Sequence, residues 1–360
     1  MKLKTYQKYL ITQFGKKNFQ VCMVFFCLIF ILNIFDEISF LKNTDANFLY
    51  PLLLTLLNSP SVLFEVFPFI FLISTQFFFL KVLDLNELNI YKNFGLSNFR
   101  ILYTISIFSL FLGFFITLIF YNFSSKLKFT YLELKNSYSN DNKYLAFVNE
   151  NGLWIKDEID DKINIINALK IEDNFLIDVS ITQFNKNFEL FQNFDAKKIN
   201  IKDNLWKMTD VINAKDMSRS IKIEYAELNT NFNIEKISNL FSNLSSLTIF
   251  ELYKLKKDYK ELGYSSVEIS VHLQKIITFP FYLMAMTVFS AIIMLNINYN
   301  KPKIFHLIVG IMLSVIVYYI SFFSNVLAEN EKIPTLIASW MPLVILLLIS
   351  SIGLVKINEK

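Results

Sequence analysis

Few residues in this chain are arranged to do covalent chemistry. His272 and His306 stand alone, at the ends of different apolar runs, whereas metal binding or general-base catalysis needs convergent partners. The two cysteines, Cys22 and Cys27, share one apolar run, which argues against a disulfide scaffold or a Cys-based metal site. Gly15-Lys16 is followed by Lys17 and has no glycine five residues earlier, so no phosphate-cradling loop forms by that route. Neither H-E-x-x-H nor G-x-S-x-G occurs. The expectation is a chain without catalysis, metal or cofactor of its own.

The remaining polar residues suit contact rather than catalysis. The stretch Asp84–Ser97 reads as a short amphipathic helix closed by Gly95. It could be a solvated loop helix. It could also be a coupling helix, with exposed Leu88, Tyr91 and Phe94 inserting into a groove of a soluble partner and Glu87 pairing with a basic residue there. Asp36, Glu37 and Lys42 cluster at the end of the first apolar run. They suit ordinary interfacial polarity or a charged headgroup, where Lys42 would favour phosphate. Glu65 interrupts a second run, where burial is expensive unless the carboxylate is solvated or paired. Phe67 belongs to a Phe-rich stretch that could line an apolar cavity, although with 39 Phe in the chain a lipid-facing role is the simpler account.

These residues must be positioned by elements in a membrane. The chain has 360 residues, 54% hydrophobic and 18% charged, with a net charge of +4, against roughly 25% charged in soluble domains. Five uncharged runs approach the ~20 residues of a spanning helix: Asn18–Phe35, Ile101–Ser125, Ile276–Asn300, Ile304–Ala328 and Ile333–Val355. A sixth, Ser59–Leu80, is broken only by Glu65, and Ala46–Asn58 before it, with Pro51 nearby, reads as a short lead-in helix. Lys2, Lys4, Lys8, Lys16 and Lys17 precede the first run, and Asp36 and Glu37 follow it where a signal peptide would have small residues, so it reads as a retained anchor. Lys81, Lys92, Arg100, Lys301, Lys303, Lys356 and Lys360 flank the same side as the amino terminus, while Asp36, Glu37, Lys42, Asp45, Glu329, Glu331 and Lys332 flank the other. The positive-inside rule then places both termini in the cytoplasm.

The middle segment, about 123–270, lies outside on this reading. Alternation at Phe175, Ile177, Val179 and Ile181, and around Ile221, Ile223 and Tyr225, reads as strand. So do Tyr144–Val148, Leu153–Ile155 and Leu205–Val211. About eight short strands suggest a sandwich or jelly roll with open edges that another chain could extend. From Ile234 the period turns helical, with capping spacing at Thr248/Glu251 and Ser265/Glu268 and a stop at Gly263. The expected fold class is an α-helical polytopic membrane protein with six spans in a 3+3 arrangement and an inserted periplasmic β-jelly-roll domain. The divisions are 1–122 for spans 1–3 with the coupling helix at about 84–97, 123–235 for the β domain, 236–270 for a helical connector, and 271–360 for spans 4–6.

Several stretches resemble the LptF/LptG permease family of the lipopolysaccharide export ABC transporter, over nearly the whole chain. Asn86-Glu87-Leu88-Asn89-Ile90-Tyr91-Lys92-Asn93-Phe94-Gly95-Leu96-Ser97 is similar to the family's "s-E-l-x-x-x-r-a-x-G-x-S" segment and is the most specific element. Leu63-Phe64-Glu65-Val66-Phe67-Pro68 resembles its "Y-E-x-x-P". Gly152-Leu153-Trp154-Ile155-Lys156 resembles "G-x-W-x-r", and Leu205-Trp206-Lys207-Met208 resembles "g-W-x-l". Ile333-Pro334 and Ala338-Ser339-Trp340-Met341-Pro342 resemble "l-P-p…a-a-W-x-P". Asn93 stands where a small residue is usual, and Met294–Tyr299 lacks the usual Pro-Phe ending. Phe35-Asp36-Glu37 resembles LptG more than LptF.

The resemblance implies a transport subunit of the bacterial inner membrane. It would pair with its paralogous permease, LptF or LptG. A cytosolic LptB dimer would hydrolyse the ATP, docking on the coupling segment of Glu87, Leu88, Tyr91, Phe94 and Gly95. LptC would be the single-span periplasmic bridge partner, lipopolysaccharide the substrate near Asp36, Glu37, Lys42, Glu65 and Phe67, and nucleic acid would have no part. A membrane-tethered sensor or scaffold with a ligand-binding β domain is the alternative that the 3+3 layout alone also allows. A secondary transporter would need broken helices and ionisable residues at the midplane, and the spans carry essentially none.

Overall fold

A computed structural model describes residues 4–42, 47, 49–138, 153–159, 162–172, 174–185, 189–215, 219–234, 237, 243–261, 265–296 and 302–358. The expected strand at 144–148, together with Gly152, Gly263, Asp45 and Lys301, lies outside these residues. The chain forms two compact units, one of residues 1–131, 245–249 and 267–360, the other of residues 132–244 and 250–266.

The first unit is built from α1 (Thr5–Leu41), α2 (Leu49–Asp84), α3 (Glu87–Asn93), α4 (Asn98–Phe115), a π-helical turn (Ile116–Phe120) and the start of α5 (Tyr121–Ser137). Beyond the inserted unit it continues with α7 (Val267–Leu295), α8 (Lys303–Glu329) and α9 (Thr335–Asn358), whereas α6 (Ile249–Glu261) before them belongs from Phe250 onward to the second unit. Six helical segments are long and apolar enough to cross a membrane, α4 and α5 counting as one.

Two expectations change here. The lead-in helix is not separate: α2 runs unbroken from Leu49, through Pro60 and Pro68. Each proline removes one backbone donor, and in the turns before Pro60 Thr55 donates its hydroxyl to the Pro51 carbonyl at 2.7 Å and Ser59 to the Thr55 carbonyl at 2.6 Å. The helix of the third span, expected over Ile101–Ser125, continues to Ser137, and the two units divide within it, at Tyr131 and Leu132.

Helices α2 and α7 carry the centre of the bundle, and α1 and α8 its periphery. Small and hydroxylic residues let the central helices approach. A Cβ on Gly113 of α4 would fall 2.7 Å from the Pro280 Cα of α7. One register further along the same pair, Thr287 donates to the Ser109 hydroxyl at 3.0 Å. Ser290 donates to the Leu72 carbonyl at 2.8 Å, and the Asn18 amide of α1 donates to the Ser74 hydroxyl at 3.2 Å. Such contacts replace the hydrophobic drive that lipid does not supply between helices.

The second unit holds β1 (Leu153–Ile159), β2 (Lys162–Glu172), β3 (Phe175–Asn185), β4 (Leu190–Asn200), β5 (Leu205–Lys215) and β6 (Arg219–Asn229). They form one antiparallel sheet in sequence order, each strand paired with the next. Six strands lie among the described residues, and the antiparallel sheet is the inserted β domain expected in the middle of the chain.

The β core is Ile155, Ile166, Ile181, Ile199, Trp206 and their neighbours, with the Trp206 indole donating to the Phe232 carbonyl at 2.9 Å. The inward set in β3 is Leu176, then Val179 and Ile181, not the expected run from Phe175 to Ile181. The phase changes at Asp178, whose φ is 48°. Asp210 does the same in β5, with φ 54°, so that Trp206 and Met208 face inward before it and Val211 after it. Asp tolerates this left-handed conformation better than a β-branched residue would, and one such residue moves every later side chain to the other face.

Candidate functional site

Helix α3 is set by its two ends. Asn86, with φ 55°, turns the chain after α2. At the other end Gly95, φ 74°, donates its N–H to the Lys92 carbonyl at 2.9 Å, and Leu96 donates to the Tyr91 carbonyl at 2.9 Å. This pair of bonds is a Schellman stop. A Cβ on Gly95 would meet nothing within 4 Å, so glycine is demanded by the backbone conformation and not by space. Ser97 then opens α4, its hydroxyl accepting from the Arg100 N–H at 3.4 Å.

The side chains of α3 divide differently from the expectation. Leu88 and Tyr91 are partly buried and pack on the cluster around Leu10, Phe14, Phe78 and Val82. They hold α3 to its own bundle. Phe94 is 81% exposed, and Leu85 and Ile90 are exposed beside it. The i, i+3 pair Leu88/Tyr91 and the i, i+4 pair Ile90/Phe94 occupy different faces of one short helix. Glu87 is also engaged within the chain. Tyr9 of α1 donates to its Oε1 at 2.8 Å, and Tyr91 donates to Oε2 at 3.4 Å. Burial first, then the Glu87 charge, pushes the Tyr91 phenol above its ordinary value, so it stays a donor. Spacing could not reveal Tyr9, which is 78 residues away.

The residues expected near a substrate do not form one site. Glu37 is 2% exposed and its Oε1 accepts from the Tyr131 hydroxyl at 2.7 Å. Asp36 and Lys42 are exposed, Lys42 as the C-cap of α1. Phe67 is buried, edge-on to Phe120 at 5.4 Å and to Phe71 at 6.5 Å, so it is packing and not cavity lining. Glu65 lines a pocket shared with Lys275 and Phe279 of α7, Tyr318 and Asn325 of α8, and Ser339 of α9. Of these last five the sequence marked only Ser339, within the stretch Ala338–Pro342, and they converge only when four helices meet.

Next to this pocket lies an aromatic and polar joint. Phe64 stacks on Phe279 with centroids 4.2 Å apart and meets Tyr121 edge-on at 5.0 Å. The Tyr121 hydroxyl donates to the Leu247 carbonyl at 3.1 Å and lies 3.0 Å from His272 Nε2. With its one proton given to Leu247, the phenol must accept from His272. His272 thereby has a structural partner, and Tyr121 directly follows the π-helical turn Ile116–Phe120, a feature frequent at functional sites.

On the opposite face Lys303 pairs with Asp84, and the buried Gln76 amide donates to the Leu307 carbonyl at 3.3 Å. Among the described residues no group of three or more His, Cys, Asp or Glu could hold a metal. A search of curated proteins finds no match. The family model for lipopolysaccharide export system permease LptF/LptG matches residues 8–356.

Proposed function

This chain belongs to the LptF/LptG family of lipopolysaccharide export permeases, and from that premise we propose that it is a permease subunit of an ABC transporter that lifts lipopolysaccharide out of the bacterial inner membrane. The observation that carries the reading is the reach of the match, from 8 to 356, over all six apolar helices and the inserted antiparallel domain. The chain is a transport subunit, and the work is driven from outside it. Removing acyl chains from a bilayer costs about 0.8 kcal/mol per CH₂. In this reading a partner ATPase dimer of the LptB type hydrolyses the ATP, and this chain binds no cofactor.

Both termini are cytoplasmic, the β domain is periplasmic, and a paralogous permease and a bridge protein of the LptC type complete the assembly. Phe35-Asp36-Glu37 favours the LptG branch. The docking surface for the ATPase is the outward face of α3 and its flanks, with Phe94 as the central knob and Leu85 and Ile90 beside it. Glu87, Leu88 and Tyr91 contribute by fixing α3 on α1 and α2. Asp36 and Lys42 meet lipid headgroups as α1 leaves the membrane.

Depleting the chain from its cell and labelling surface lipopolysaccharide tests the reading. Delivery should fall as the protein disappears; undiminished delivery overturns the permease role and favours a sensor or scaffold. Phe94→Asp should abolish co-purification of the ATPase subunit while the permease pair still forms.

A further inference from the structure

The Glu65 pocket lies at one level of the bundle. At about 1.5 Å per residue, Glu65 stands about 28 Å from the end of α2 at Asp84, and Lys275 about 30 Å from the end of α7 at Leu295. By the same rise, Asn325 stands about 33 Å from the start of α8 at Lys303, and Ser339 about 28 Å from the end of α9 at Asn358. All four are therefore one hydrocarbon thickness, about 30 Å, from the face marked by the Asp84–Lys303 pair. That is headgroup level of the far leaflet.

The lining offers two chemistries at once. Glu65 supplies a carboxylate, and Asn325 Oδ1 and Ser339 Oγ are buried with no hydrogen-bond partner among the described residues. Tyr318, Phe279 and Phe322 supply aromatic rings. An acid, an orphaned carbonyl and aromatic faces suit a hydrogen-bond-donating ammonium. Lys275 supplies a cation on the same pocket, and no ion pair joins it to Glu65 among the described residues. A ligand with adjoining ammonium and phosphate satisfies both.

We propose that this pocket binds a phosphoethanolamine headgroup, with its ammonium at Glu65, Asn325 and Tyr318 and its phosphate at Lys275. The inference rests on the membrane placement argued under the proposed function. The same headgroup is carried by phosphatidylethanolamine and by lipopolysaccharide substituted with phosphoethanolamine.

The test uses the full chain purified with its partner subunits, without nucleotide. It is equilibrated with vesicles of phosphatidylethanolamine, phosphatidylcholine or phosphatidylglycerol, and retained lipid is read by native mass spectrometry. Phosphatidylethanolamine should be retained about tenfold over the other two, since choline cannot donate hydrogen bonds and glycerol carries no charge. Glu65→Gln should remove about that tenfold preference, and Lys275→Met, which removes a phosphate contact common to all three lipids, should lower retention of each alike, both with unchanged gel-filtration elution. Equal retention of the three lipids by the unsubstituted protein, which needs no variant, overturns the proposal, as does full selectivity in Glu65→Gln.

Competition then assigns the source. Displacement only by phosphoethanolamine-substituted lipopolysaccharide makes the cargo the ligand, and displacement by neither form makes it the phospholipid. Equal displacement by substituted and unsubstituted forms overturns headgroup recognition. A chain that retains the lipid selectively but exports no lipopolysaccharide leaves the pocket standing and removes the permease role. The converse result removes the pocket alone.

Discussion

At Glu87 and Glu37 the carboxylates most open to a ligand in the sequence are held by tyrosines of the same chain, Tyr9 and Tyr131. The two cases differ in burial. Glu37 is buried, so removing a donor leaves an acceptor oxygen short of a partner in a dry site. Tyr131→Phe is expected to lower stability by about 1–3 kcal/mol, seen as a lower Tm of the purified protein; an unchanged Tm would mean the bond is worth nothing there. Tyr9 and Glu87 are near solvent, where water replaces a lost bond. Tyr9→Phe should leave Tm nearly unchanged and weaken ATPase association through a looser α3. Equal ATPase association in the variant would show that α3 needs no clamp from α1.

At the scale of elements, three glycines do different work. Gly95 ends α3 through its positive φ and touches nothing. Gly95→Ala should therefore cost about 1 kcal/mol of local strain and lower ATPase association, and Gly95→Asn, which accepts the left-handed region, should restore most of it. Failure of the Asn variant would indicate a spatial need for glycine. Gly113 is a steric requirement, because the opposing atom is backbone Pro280 Cα at 2.7 Å. Gly310 meets instead the amide end of the Gln76 side chain, which a Cβ there would displace. Gly310→Ala should destabilise by evicting that amide from the Leu307 carbonyl, yet be tolerated in a Gln76→Ala background. A thermal double-mutant cycle measures the coupling, and strict additivity would show that the two do not meet.

For the whole molecule, the decisive quantity is which side of the membrane each part occupies. With Cys22 and Cys27 replaced by Ser, Tyr225→Cys in β6 should react with an impermeant maleimide added outside the inner membrane. Phe94→Cys should react only after the membrane is opened. The reverse pattern would invert the proposed topology and with it the leaflet of the Glu65 pocket. The peripheral helices α1 and α8 expose long rows of apolar residues such as Phe19, Leu32, Ile316 and Phe323, and in a bilayer such faces need only lipid or another span, which is why apolar exposure there signals no instability.

The sequence by itself determined the six spans, the inserted β domain, and the amphipathic segment closed by Gly95, because these depend on run length, periodicity and local backbone preference, all of which are written in neighbouring residues. It also placed Glu65, since one carboxylate in an apolar run stands out. Tertiary structure decided which face of α3 is free, that Glu37 and Phe67 are interior, and that β3 and β5 change phase at Asp178 and Asp210. It alone brought Lys275, Asn325 and Ser339 to Glu65. A hydrogen bond or a pocket wall is a matter of a few ångströms between residues dozens or hundreds of positions apart, and only the packing of helix on helix sets that distance.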